Sequence, residues 1–188
     1  MGKPHIGVMG SAAPSFPRDQ MEHLQEIAWQ LGRTIAMQQG ILVIGSTVGL
    51  PGMVCEAVRK AGGFTVEISP ASSAQEHQAH DATDDTRADV RIFTGFGFKG
   101  RNVISVRTSD IVIIFGGSMG TFNEFTIAYD EGKIIGVLEG TGGVADGVRS
   151  VMQFCNKPTL ARVVFERDPA RLLQACLALL HTHAPTPP

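Results

Sequence analysis

No apolar stretch of this 188-residue chain approaches the roughly eighteen residues of a membrane helix, and Met1-Gly2-Lys3-Pro4-His5 lacks the apolar core of a signal peptide. Cysteine is scarce: Cys55, Cys155 and Cys176 are odd in number and form no Cys-x-x-Cys pair. That excludes a closed disulfide framework and points to a reducing, cytoplasmic setting. Neither sign of charge dominates, since 16 basic residues face 18 acidic ones for a formal charge of −2. The long-range field therefore would not draw the chain to nucleic acid or to an anionic membrane. Aromatic residues make up only 6% of the chain, too few for a stacking platform along a single strand. The P-loop signature Gly-x-x-x-x-Gly-Lys is missing as well, and the strand-to-helix turn at Gly116–Thr121 does not spell Gly-x-Gly-x-x-Gly. That argues against an ATPase of the P-loop type and against a dehydrogenase with its dinucleotide fingerprint at this turn.

What the chain does have is alternation. Short β-branched runs, Ile6–Met9, Ile41–Ile44, Phe64–Ile68, Val90–Phe93, Ile111–Phe115, Ile134–Leu138 and Val163–Phe165, are separated by amphipathic stretches. This is the pattern of an α/β, Rossmann-like open parallel sheet of six or seven strands with helices on both faces. A helix from about Met21 to Gln38 places Leu24, Ile27, Ala28, Leu31 and Ile35 on one face. Ile111-Val112-Ile113-Ile114-Phe115 is apolar on both sides, as a strand covered by helices on each face must be, and is expected at the centre of the sheet. The polar segment from Ser69 to Asp89 reads as a long loop. Asp168 is expected to cap a last helix through Leu180. Residues 1–182 thus form a single nucleotide-binding domain, and residues 183–188 a flexible tail.

The strongest chemical signal is the turn Gly116-Gly117-Ser118-Met119-Gly120-Thr121 between an apolar strand and a helix. Small residues let the backbone bend sharply and aim N–H groups outward, and the helix start adds positive potential, so the turn suits a phosphate. Ligands of open α/β sheets sit beyond the carboxyl ends of the strands. Gly10-Ser11, Gly45-Ser46-Thr47 and Gly95-Phe96-Gly97 are therefore expected to line the same crevice. For Thr121-Phe122-Asn123-Glu124 a plainer reading exists, a capping box in which Glu124 reaches back to its own helix start. Arg101 has one too, a helix-opening residue paired with a surface acid.

On these residues the chain resembles the Rossmann-like LOG family, often mislabelled lysine decarboxylases, and its relatives the molybdenum-cofactor carrier proteins. The family motif Pro-Gly-Gly-x-Gly-Thr-x-x-Glu follows an arginine placed sixteen residues before its first glycine. Here Gly117-Ser118-Met119-Gly120-Thr121-Phe122-Asn123-Glu124 matches the motif, with Arg101 at the same spacing from Gly117. Gly45-Ser46-Thr47-Val48-Gly49-Leu50 and Val8-Met9-Gly10-Ser11 resemble the family's other turns. The resemblance implies Arg101 and Glu124 as a catalytic pair that hydrolyses the N-glycosidic bond of a nucleoside 5′-monophosphate. It also implies a ligand held by Gly10, Ser11, Gly45, Ser46, Thr47, Gly116, Gly117, Ser118, Met119, Gly120 and Thr121. Gly116, Ser118, Asn123 and Asn102 depart from the hydrolase pattern, as do Phe98 and Lys99, which stand where a methionine and a histidine are expected. The Arg101-Asn102 pairing is closer to the carrier branch, which implies the alternative of a carrier or sensor for a phosphorylated pterin or nucleotide.

No cofactor is required by either reading; a nucleotide or a phosphate or sulfate anion is the expected occupant. The resemblance further implies a homodimer or higher homo-oligomer. His77, His80 and Asp81 have ligand-like spacing but no second cluster, so no metal site is assigned, and the segment is expected to act as solvated loop or lid. Ser11, Ser46 and Ser118 have no positioned histidine and aspartate for a hydrolase triad. A decarboxylase would need a Schiff-base lysine, and only Lys99 lies near a site loop.

Overall fold

The computed structural model describes residues 2–12, 18–45, 49–80 and 88–182. Strands and helices alternate along the chain: β1 (His5–Gly10), α1 (Arg18–Met37), β2 (Ile41–Gly45), α2 (Leu50–Lys60), β3 (Phe64–Ser69), α3 (Ala74–His80) and β4 (Val90–Phe93). There follow α4 (Gly97–Thr108), β5 (Ile111–Phe115), α5 (Met119–Asp130), β6 (Ile134–Leu138), α6 (Gly143–Cys155), β7 (Arg162–Glu166) and α7 (Pro169–His181). All seven strands are parallel, in the order β4-β3-β2-β1-β5-β6-β7.

Period-2 alternation divides the core between the two faces of this sheet. Ile111, Ile113 and Phe115 of β5 pack with Leu24, Leu31 and Ile35 of α1, Val54 and Val58 of α2, and Leu172 of α7. Val112 and Ile114 point the other way, to Val106 of α4, Phe125 of α5 and Val148 of α6. A strand covered on both sides must be apolar throughout, and every residue of β5 is buried. The geometric middle is β1, however, one strand over from β5, where the sequence reading had put it. Strand order reverses between β1 and β5, so the connections leave their carboxyl ends in opposite directions and open a crevice there.

The stretch read as loop from Ser69 to Asp89 contains a helix. In α3 the Glu76 amide donates to Ser73 Oγ at 3.2 Å, while Glu76 Oε2 accepts from the Ser72 amide at 2.8 Å. This short-range capping pattern supports a helix too short to be stable by itself. His77 is buried and lies 3.1 Å from Ser69 Oγ. At the other end of the chain Asp168 does cap α7, its Oδ1 accepting from the Arg171 amide at 2.8 Å. No helix among the described residues is long and apolar enough to cross a membrane. The tail at residues 183–188 lies outside the described residues.

Candidate functional site

At the β1/β5 crevice the chain leaves a cavity of about 230 Å³. Gly10 closes β1, Gly45 closes β2, Ser118, Gly120 and Thr121 start α5, and Arg101 and Glu124 stand on α4 and α5. Arg101 Nη1 lies 3.2 Å from Glu124 Oε1, and both residues are 5% exposed. The plainer readings of these two residues fail on that geometry. Arg101 meets a buried acid, not a surface one. Glu124 turns to α4, and α5 begins with Ser118 as N-cap without any side-chain cap hydrogen bond.

Gly45 is what lets the guanidinium lie down on the sheet. A Cβ at this position would stand 2.1 Å from Arg101 Nη1 and 2.4 Å from Cζ, inside any permitted contact. Among the described residues Arg101 Nε finds no hydrogen-bond partner, so the pair includes one unsatisfied buried donor. Beside the pair, Asn102 Nδ2 donates to Asn123 Oδ1 at 2.9 Å, a neutral link between α4 and α5.

Burial sets the electrostatics. It pushes the Glu124 carboxyl up from 4.5 to about 7, against the lowering pull of Arg101 and then Lys99. Burial also draws Arg101 below its ordinary value, with Glu124 and Glu67 opposing. For each partner desolvation outweighs the attraction between them, so the pair is held in place by the fold more than it holds the fold. A carboxyl titrating near 7 is suited to exchange a proton at neutral pH.

The glycine turn is anchored on four sides. Gly116 N–H donates to Thr141 Oγ1 at 2.9 Å, and Gly117 N–H to Ser11 Oγ at 2.8 Å. Their carbonyls accept from the first turn of α6, Gly117 O from the Val144 amide at 3.0 Å and Gly116 O from the Ala145 amide at 3.1 Å. Gly143, with φ +57°, makes this approach possible, since a Cβ there would sit 2.1 Å from Gly117 O. Gly116 and Gly117 are therefore not the cradle the sequence reading made of them, because both amides are spent within the protein. The amides that remain are those of the uncapped first turn of α5, Met119, Gly120 and Thr121, which have no intrahelical acceptor. Beyond its own helix and chain neighbours, no atom of the described residues lies within 4 Å of a would-be Cβ at Gly120, so their packing does not demand glycine there.

Of the other expected residues, Gly10 and Gly45 line the cavity, whereas Ser11 stands behind it as the acceptor for Gly117. Met119 is 76% exposed and outside the wall. The Gly95-Phe96-Gly97 loop stands outside the wall too, and the next residues, Phe98 and Lys99, take its place. Ser46 and Thr47 lie outside the described residues, as does Asp81. No group of three or more histidine, cysteine, aspartate or glutamate side chains with metal-binding geometry occurs among the described residues. Sequence reasoning missed Thr141, Pro51, Val8 and Met9. A Gly-Thr-Gly-Gly run after β6 was the available signal for the first, and the carboxyl end of β1 for the last two.

The comparisons agree with this architecture. A model of the SLOG cluster4 family matches residues 3–173. A cytokinin riboside 5′-monophosphate phosphoribohydrolase from Mycobacterium marinum is 28% identical over 188 residues, covering 93% of this chain and 94% of its own. A molybdenum cofactor binding protein from Rippkaea orientalis superposes with a TM-score of 0.75 at 28% identity, over 96% of this chain and 99% of that one. The molybdenum cofactor carrier protein of Chlamydomonas reinhardtii superposes at 0.72 and 25% identity, over 96% and 100%.

Proposed function

We propose that this chain, which belongs to the SLOG cluster4 family, hydrolyses the N-glycosidic bond of a nucleoside 5′-monophosphate, releasing a free base and ribose 5-phosphate. The observation that carries the reading is the buried Arg101–Glu124 pair in the cavity wall, with its carboxyl raised to about 7, next to an uncapped helix start. Amides of Met119, Gly120 and Thr121 together with the α5 dipole would hold the phosphate. Cleavage builds positive charge on the ribose, which an ionised Glu124 stabilises while it orients the attacking water. The proton taken from that water passes through Glu124 to the departing base as the C1′–N bond breaks, and a pKa near 7 suits both loading and release at neutral pH. Arg101 keeps the carboxylate aimed.

A second reading, a carrier that binds a phosphorylated cofactor without turnover, is favoured by one feature. The Asn102–Asn123 link is neutral where the hydrolase pattern places a lysine and a glutamate. Incubating the protein with a panel of nucleoside monophosphates and separating free base from nucleotide decides between the two. Base release that disappears in Glu124→Gln supports the hydrolase. Tight binding with every nucleotide recovered intact supports the carrier.

A further inference from the structure

Phe98 stands in the first turn of α4 beside Lys99 in the cavity wall, and 59% of it remains exposed although it is large and apolar. A single exposed aromatic is ordinary on a protein surface. This one differs in its company, because it shares the cavity wall with the Arg101–Glu124 pair and the open start of α5. Its ring centre lies 6.0 Å from Arg101 Cζ, on the side of α4 that meets Glu124.

The helical register explains the arrangement. From the Arg101–Glu124 contact, one turn toward the start of α4 reaches Phe98, and one turn toward the start of α5 reaches Gly120 and Thr121. Both helices follow strands of the same parallel sheet, so both starts open on the same crevice. Packed helices stand about 8–10 Å apart between axes. A flat apolar ring on one side and anion-seeking amides on the other are thus separated by a helix spacing, with the reacting pair one turn deeper and bridging the two helices. A nucleotide has the same order of parts: base, sugar carbon that reacts, phosphate.

We propose that Phe98 is the platform on which the planar aromatic heterocycle of the ligand stacks, so that this residue selects for a base and sets its angle to the Arg101–Glu124 pair. The inference rests on the nucleotide reading of the site and adds to it the residue that recognises the base. Every base presents a π-face, so a lone platform selects flat heterocycles as a class and tolerates exchange of one for another.

The test compares two probes, adenosine 5′-monophosphate and ribose 5-phosphate, by titration calorimetry on the wild type, Phe98→Ala and Phe98→Tyr. Removing a stacking partner weakens a base-bearing ligand by about 5- to 150-fold. Phe98→Ala should therefore bind the nucleotide that much more weakly, keep ribose 5-phosphate within about twofold, and be rescued by Phe98→Tyr. Equal loss for both probes would make the residue structural and overturn the proposal. Unchanged affinity accompanied by a change in oligomeric size would identify Phe98 as a contact between copies, and would equally overturn it. A wild type that binds ribose 5-phosphate but not the nucleotide refutes the platform and leaves the phosphate site standing. A wild type that binds neither probe refutes the nucleotide reading itself, and the platform with it.

Discussion

Replacing Glu124 with glutamine removes a titrating proton from the cavity while keeping the side chain's shape, and the pH dependence of stability should report it. At about 1.36 kcal/mol for each pKa unit, a carboxyl moved from 4.5 to about 7 favours the protonated folded state by about 3 kcal/mol. The shift is upward, so the folded chain binds more protons than the unfolded chain between those two values. Stability from this group is fully present below pH 4.5 and is lost as pH rises through about 7. Urea unfolding of wild type and Glu124→Gln at intervals from about pH 5 to 8.5 isolates the effect, since the other groups cancel in the difference. The advantage of the wild type over the variant should shrink by about 2–3 kcal/mol across that range. A difference that stays flat would refute the reasoning. So would a wild-type advantage that grows with pH, since it would mean that attraction to Arg101 exceeds the penalty of burial.

Three further substitutions probe the site. Gly45→Ala should drive the Arg101 guanidinium off the sheet, because the new methyl would lie 2.1 Å from Nη1; base release should fall by about 100-fold or more while circular dichroism stays native. Gly120→Ala meets no atom of the described residues within 4 Å beyond its own helix and chain neighbours, so its melting temperature should hold or rise, by about 0.5–1 kcal/mol in stability. Affinity for a phosphorylated ligand should drop in the same variant, because the methyl enters the cavity. Ser11→Ala strips the acceptor from the Gly117 amide and should cost about 1–3 kcal/mol in denaturant unfolding, with Ser11→Thr restoring part of it.

Much of the sheet was legible because its runs are short, β-branched, apolar almost throughout and bounded by turn residues. The five apolar residues of β5 could belong only to an interior strand, though their composition could not say whether β1 or β5 lies at the middle. The helix α3 was hidden because its seven residues include only two alanines and are otherwise polar, so no apolar stripe announced it. Ser73-Ala74-Gln75-Glu76 was the legible trace, a capping sequence with no apolar run behind it. In the site, the spacing of Arg101 and Glu124 was informative because two helices flanking one strand bring those positions into contact. Which amides face the ligand was not legible, since this depends on Thr141 and Ser11, whose hydroxyls come from distant loops to occupy Gly116 and Gly117. Burial of Glu124 was likewise invisible in a sequence where Thr-x-x-Glu matches an ordinary cap.

The most direct test of the site is an amide NMR titration of the protein with ribose 5-phosphate. The largest shifts should fall on Met119, Gly120 and Thr121, whose N–H groups are uncapped. Smaller ones are expected at Gly116 and Gly117, whose amides are held by Thr141 and Ser11. Shifts centred on the Gly140–Gly143 loop or on α7, or no shift at saturating ligand, would contradict an anion seated at the start of α5.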